Sequence, residues 1–222
     1  MQRWIELAIV LVLAASTEIL FWDGQLDLTI AEYFYHDDAW SEQHFWLWRM
    51  LYTLGEPINW WLAGLALFYY LGSRWRPQKL PAGKSALYIF LLIVLGPALL
   101  VNGIVKDNWG RPRPRETQTF GGAYPYQPPL QISGNGRKSF VCGHCASAFV
   151  LFGGYFLARR RRLLLLSLAC IYGLLMGWAR MSAGAHFLSD ILWSGYLMFL
   201  LSWLLYYRLW PTLPIKPGIK NS

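Results

Sequence analysis

The chain has 222 residues, of which 55% are apolar and 17% aromatic, and it carries a formal net charge of +8. This composition excludes an ordinary water-soluble globule and indicates an integral membrane protein. The basic residues cluster in short segments between apolar runs, a pattern that does not suggest nucleic-acid binding.

Six apolar runs are candidates for transmembrane helices, because the hydrocarbon core is about 30 Å thick and a helix rises about 1.5 Å per residue. In chain order they comprise residues 4–22, 55–71, 85–105, 139–158, 163–179 and 187–210. Glu56 and Pro57 are expected to interrupt the start of the second run. The sequence therefore predicts an all-α integral membrane bundle of six transmembrane helices, forming one domain over residues 1–222.

The basic residues predict how the spans are oriented, since Lys and Arg accumulate on the cytoplasmic side. If the amino terminus is inside, the cytoplasmic segments are those around Arg3, at 73–84, at 159–162 and after residue 207. They hold 12 of the 20 basic residues and no acidic residue. We therefore expect both termini in the cytoplasm, with the longer connections 23–54 and 106–138 outside.

The outer segment after the third span carries basic residues on a stiff backbone. Lys106 ends the span, and Arg111, Arg113 and Arg115 follow with prolines between them. Proline disfavours helix and holds these arginines on an extended segment. Arginine offers forked donors that suit phosphate, and lysine offers a compact charge. The cluster predicts either a phosphate site or contact with lipid head groups.

The short connection between the fifth and sixth spans supplies a cation, an imidazole and a carboxylate. Arg180 ends the fifth span, His186 begins the sixth, and Asp190 follows four residues later. This spacing puts His186 and Asp190 on one helix face, where the carboxylate can hold one ring N–H and leave the other nitrogen free as a nucleophile. A buried pair that ties two helices together is the structural alternative. An acid inside a span is costly unless paired, which favours a functional role.

The stretch SFVCGHCASAF at the start of the fourth span admits two interpretations. Cys142, Gly143, His144 and Cys145 spell the tetrad of a thiol-disulfide oxidoreductase, but Cys170, inside the fifth span, is the one other cysteine available to pass electrons on. At a helix start, the same residues would instead offer N–H groups to an anion and a histidine to protonate a leaving oxygen. A zinc site is disfavoured by ligands crowded into four residues.

Taken together, the three segments resemble the signature of the type 2 phosphatidic acid phosphatase superfamily. Its first part, Lys-x6-Arg-Pro, is matched at 106–114. The second, Pro-Ser-Gly-His, is partly matched at 141–144, and the third, Ser-Arg-x5-His-x3-Asp, is matched at 179–190 except at its first residue. A non-enzymatic lipid-binding protein would keep the basic residues but has no need for the histidine–aspartate pair.

The resemblance implies a phosphatase mechanism without metal or cofactor, in which vanadate would bind as a phosphate mimic. His186 would attack phosphorus, Asp190 would orient it, and His144 would protonate the leaving alcohol. The phosphoryl oxygens would be held by Lys106, Arg113, Arg180, Cys142 and the amide of Gly143.

The expected substrate is a phospholipid or glycolipid phosphate at the periplasmic face of a bacterial inner membrane. The 119–140 insert resembles the lipid A phosphatase branch, with undecaprenyl pyrophosphate and phosphatidylglycerophosphate as the next candidates. Transfer of the phosphate to another lipid stays open. The Tyr, Pro and Gly residues at 120–136 predict a lid over the site.

Three residues depart from the signature: Val141 and Cys142 replace Pro-Ser, and Ala179 replaces Ser. A thiol is a weaker hydrogen-bond donor than a hydroxyl, so the contact from Cys142 to phosphate is in question. A disulfide between Cys142 and Cys145 would reshape the pocket, which predicts modest redox sensitivity.

Overall fold

The computed structural model describes residues 2–41, 46–78, 82–158 and 160–211, with the backbone alone at positions 47, 51 and 56. Several basic residues that contribute to the predicted orientation lie outside this part of the chain, namely Lys79, Arg159, Lys216 and Lys220.

The described residues are mainly helical. In chain order the helices are α1 (Gln2–Phe21), α2 (Gln25–Glu32), α3 (Trp46–Trp75), α4 (Gly83–Ile93), α5 (Lys106–Trp109), α6 (Gly143–Phe149), α7 (Phe152–Leu157), α8 (Arg162–Ser182) and α9 (Leu188–Leu209). A π-helical stretch, Val94–Val105, joins α4 to α5, and 3-10 turns follow at Pro114–Glu116 and Gln118–Phe120. Between α2 and α3, an antiparallel hairpin pairs β1 (Tyr35–His36) with β2 (Ala39–Trp40).

Four helical runs among the described residues are long and apolar enough to cross a membrane: Gln2–Phe21, Gly83–Glu116, Arg162–Ser182 and Leu188–Leu209. They contain most of the first, third, fifth and sixth predicted runs and confirm the all-α membrane class. The six-span arrangement stays a prediction, because the two remaining runs are not among these four.

Those two runs differ from expectation. The second lies within α3, which continues through Pro57 without interruption. A proline removes one helical hydrogen bond, a loss that a helix of 30 residues can absorb. The fourth begins at Gly143 and is divided into α6 and α7 by a turn at Val150 and Leu151.

Helix α9 lies at the centre of the bundle, where it contacts α1, α4, α6, α7 and α8. Glycines on α8 allow close packing beside it. A Cβ at Gly173 would overlap the ring of Phe149, and one at Gly177 would lie 2.7 Å from Ile191. The glycine face of α8 therefore packs inside this chain and fixes where α6 and α9 sit relative to one another.

Segments predicted to share the cytoplasmic side meet at one end of the bundle. A tryptophan of α9 donates to the carbonyl oxygen of Arg3 at 3.0 Å. Arg162 pairs with the buried Glu6 at 3.2 Å, and Lys84 lies 5.0 Å from the ring centroid of Trp210. This grouping fits the predicted orientation and explains how an acid is accommodated near the basic end.

Candidate active site

The turn that begins α6 places the second signature segment against the π-helix. Cys142 caps α6, and its sulfur accepts a hydrogen bond from the Cys145 N–H at 3.2 Å. A Cβ at Gly143 would lie 2.6 Å from Oδ1 of Asn102, so a larger residue here would displace the Asn102 side chain. The backbone of the turn is thereby fixed beside His144.

A tyrosine that no motif predicts joins His144 to Arg180. The rings of Tyr52, on α3, and His144 stack with centroids 4.5 Å apart and an interplanar angle of 18°. The Arg180 guanidinium lies 4.8 Å from the centroid of the Tyr52 ring. Tyr52 therefore holds the expected acid and an expected phosphate ligand side by side. No spacing near Tyr52 distinguishes it from the other aromatic residues of its segment.

The three predicted phosphate-binding cations converge near the two histidines. Backbone hydrogen bonds join the segments that carry them: the Arg115 N–H donates to the Gly184 carbonyl at 3.1 Å, and the Cys142 N–H donates to the Asp190 carbonyl at 3.4 Å. The Nε atoms of Arg113 and Arg180 are buried without a hydrogen-bond partner among the described residues. A buried donor without a partner costs about 1–3 kcal/mol. Both arginines thus keep donor capacity that phosphate oxygens would satisfy.

His186 is buried just before α9, with 2% of its surface exposed. Its Nδ1 lies 2.7 Å from the carbonyl oxygen of Ser139 and 3.6 Å from Oδ2 of Asp190. Asp190 is therefore within reach, as the spacing predicts, but the nearest acceptor is the Ser139 carbonyl. A carbonyl oxygen can only accept, so Nδ1 carries the proton of this contact, and in the neutral imidazole Nε2 is the nitrogen without a proton.

Asp190 binds Arg111, an arginine to which the sequence assigned no separate role. Arg111 is fully buried, and its Nη1 contacts Oδ1 of Asp190 while its Nη2 lies 2.7 Å from Oδ2 of Asp27. The other oxygen of Asp190 accepts from Ser139 Oγ at 2.6 Å and from a backbone N–H at 2.9 Å. Asp190 thus orients His186 chiefly by fixing Ser139, whose carbonyl holds the ring.

The segment predicted as a lid is anchored in the same network. The Tyr126 hydroxyl accepts from Arg111 Nη2 at 3.0 Å, and the Gln127 carbonyl accepts from Arg111 Nε at 2.9 Å. Burial raises the pKa of Tyr126, so the hydroxyl keeps its proton and donates to Asp27 at 3.1 Å. The middle of this segment supports Arg111, and its role as a lid stays a prediction.

The two cysteines of the tetrad have surroundings unlike those of a redox pair. The side chains of Cys142 and Cys145 are both fully buried. Thiol–disulfide exchange requires a thiolate that a partner can reach. Among the described residues, no group of three or more His, Cys, Asp or Glu side chains could hold a metal ion. Neither the oxidoreductase nor the zinc alternative gains support from the geometry.

Comparison with known proteins gives a family match over the same segments. Residues 84–213 match the PAP2 superfamily. The chain is 35% identical over 147 residues to a lipid A 4'-phosphatase of Francisella tularensis subsp. novicida, covering 64% of this chain and 66% of that protein. It is 40% identical over 119 residues to a lipid A 4'-phosphatase of Rhizobium etli, covering 52% of this chain and 44% of that protein.

A third relative, a lipid A 4'-phosphatase of Rhizobium leguminosarum, is 38% identical over 119 residues, which cover 52% of this chain and 48% of that protein. The chain thus matches less than two thirds of the length of these three relatives. No solved structure gives a significant match.

Proposed function

Because the chain belongs to the PAP2 superfamily, as its sequence signature indicates, we propose that it is a membrane phosphatase that releases phosphate from lipid A. The observation that carries this proposal is the meeting of the three signature segments, which brings two histidines and three cations to one site. Lipid A is the proposed substrate because three relatives are named lipid A 4'-phosphatase. Undecaprenyl pyrophosphate and phosphatidylglycerophosphate are the next candidates, because the same groups would bind their phosphates.

The proposed reaction proceeds through a phosphohistidine. Nε2 of His186 attacks phosphorus, the bond from phosphorus to the lipid oxygen breaks, and His144 gives that oxygen a proton. Asp190 balances the positive charge that the ring acquires. Water then attacks phosphorus and gives a proton to His144, the bond from phosphorus to Nε2 breaks, and the release of phosphate restores both imidazoles. The equatorial oxygens, where negative charge develops, bind Lys106, Arg113, Arg180, Cys142 and the Gly143 amide.

The proposed arrangement has six spans, with the site at the periplasmic face of the inner membrane. The contacts of Arg3, Lys84 and Arg162 at the opposite end of the bundle support this orientation. A periplasm-dependent reporter fused after Ser222 should be inactive. An active reporter would reverse the orientation.

Phosphate release from three purified lipids tests the substrate. We expect detergent-purified protein to release phosphate from lipid A, with EDTA present, faster than from undecaprenyl pyrophosphate or phosphatidylglycerophosphate. Faster release from either of the other two would reassign the substrate within the same mechanism. Release that EDTA abolishes would contradict the metal-independent reaction. No release from any of the three by folded protein would overturn the proposed function.

Cys142→Ser separates the phosphatase from the oxidoreductase. A hydroxyl at this position can cap α6 as the thiol does and donates a stronger hydrogen bond to a phosphate oxygen. We expect phosphate release within about threefold of wild type, or faster, and no loss of activity on oxidation. Cys170→Ser on α8 is the matched control. Complete loss of activity in the folded Cys142 variant would restore the thiol chemistry as a candidate.

A further inference from the structure

Asp27, on α2, belongs to the hydrogen-bond network that orients His186. It precedes residues 84–213, which match the family. It is fully buried, and Oδ2 lies 2.7 Å from Nη2 of Arg111. The other terminal nitrogen of Arg111 holds Asp190. Oδ1 of Asp27 accepts from the N–H of Ser189 at 3.0 Å, and Oδ2 accepts from the Ser189 hydroxyl. The carboxylate of Asp27 therefore fixes two groups: the Arg111 guanidinium, which binds Asp190, and Ser189, the residue before Asp190.

The charges of this cluster do not cancel. Asp27 and Asp190 face a single guanidinium, that of Arg111, which leaves one negative charge in excess in a fully buried place. Oδ2 of Asp190 is 3.6 Å from Nδ1 of His186, so the excess charge lies beside the imidazole. Water and salt screen such a buried charge weakly. It therefore stabilises the positive charge that the ring acquires when Nε2 bonds to phosphorus.

We infer that Asp27 is a positioning residue for the attack by His186, an inference that rests on the proposed function. Its effect passes through Arg111 to Asp190, whose other oxygen holds Ser139 Oγ at 2.6 Å. The Ser139 carbonyl then accepts the Nδ1–H of His186 at 2.7 Å. Since Asp27 is fully buried, it does not contact the lipid. We therefore expect it to affect the rate of attack by His186 and to leave lipid binding unchanged.

Asp27→Asn tests the inference, because the amide keeps the size of the side chain and removes its charge. With lipid A as substrate, we expect kcat about 10- to 100-fold below wild type, the range for one charged hydrogen bond, and KM within about twofold. Glu32→Gln is the matched control, since Glu32 is exposed at the end of the same helix. Its kcat should equal that of wild type.

The thermal midpoint in detergent separates positioning from a structural role. Equal kcat for Asp27→Asn and wild type would overturn the inference and leave the proposed function standing. A lowered midpoint with unchanged kcat per folded molecule would overturn it too, as would a rise in KM alone. No release from the three lipids by wild type would overturn the proposed function and this inference with it.

Tyr126→Phe is a milder second variant should Asp27→Asn not fold. It removes the hydroxyl that donates to Asp27 at 3.1 Å and keeps the ring beside Arg111. We expect kcat about 3- to 10-fold below wild type at unchanged KM. Unchanged kcat in this variant would contradict the positioning of His186 through the hydrogen bonds of Asp27 and Arg111.

Discussion

Replacing His186 by alanine is expected to slow phosphate release from lipid A by roughly 10⁴-fold or more, because the variant lacks the attacking nitrogen. Ser139 and Asp190 orient one ring nitrogen and leave Nε2 available, and no other group of the site has this arrangement among the described residues. The fold should survive, since the lost ring makes one hydrogen bond to the backbone. His36→Ala, in the exposed hairpin, is the matched control.

A covalent intermediate gives this prediction a second measurement. Wild-type protein quenched during turnover of ³²P-labelled lipid A should carry label on His186 that is stable to alkali and lost in acid. The alanine variant should carry none. Rapid turnover by folded His186→Ala, or label on another residue, would contradict the proposed nucleophile.

Replacing Arg111 by methionine is expected to destabilise the protein by about 3–5 kcal/mol, because it leaves Asp27 and Asp190 buried without their shared partner. For a chain of this length, the thermal midpoint in detergent should fall by roughly 10 °C. Phosphate release should also fall, since Asp190 loses the group that fixes one of its oxygens. Arg115→Met, exposed on the same segment, should leave the midpoint unchanged.

A double variant distinguishes unpaired charge from lost packing. In Arg111→Met combined with Asp27→Asn, a neutral amide replaces one of the two unpaired carboxylates. We therefore expect the double variant to be more stable than Arg111→Met alone. Equal stability of the two variants would show that packing dominates, and a midpoint like that of wild type in the single variant would contradict the structural role of Arg111.

Hydropathy predicted most of the helical runs, because the length and polarity of a span are properties of a continuous stretch of chain. Pro57 inside α3 and the turn between α6 and α7 were not predicted. Both depend on how neighbouring helices pack against these segments, and hydropathy carries no record of that packing.

The spacing of the three motifs, which is local, allowed the sequence alone to predict the histidines, the cations and Asp190 as one candidate site. Only the tertiary structure paired Asp27 with Arg111, 84 residues away, and put Tyr52 between His144 and Arg180. It also put the Ser139 carbonyl, a backbone group that no side-chain pattern can reveal, nearest to Nδ1 of His186. Contacts between distant segments follow from how the helices pack, and they leave no periodicity in the sequence from which they could be predicted.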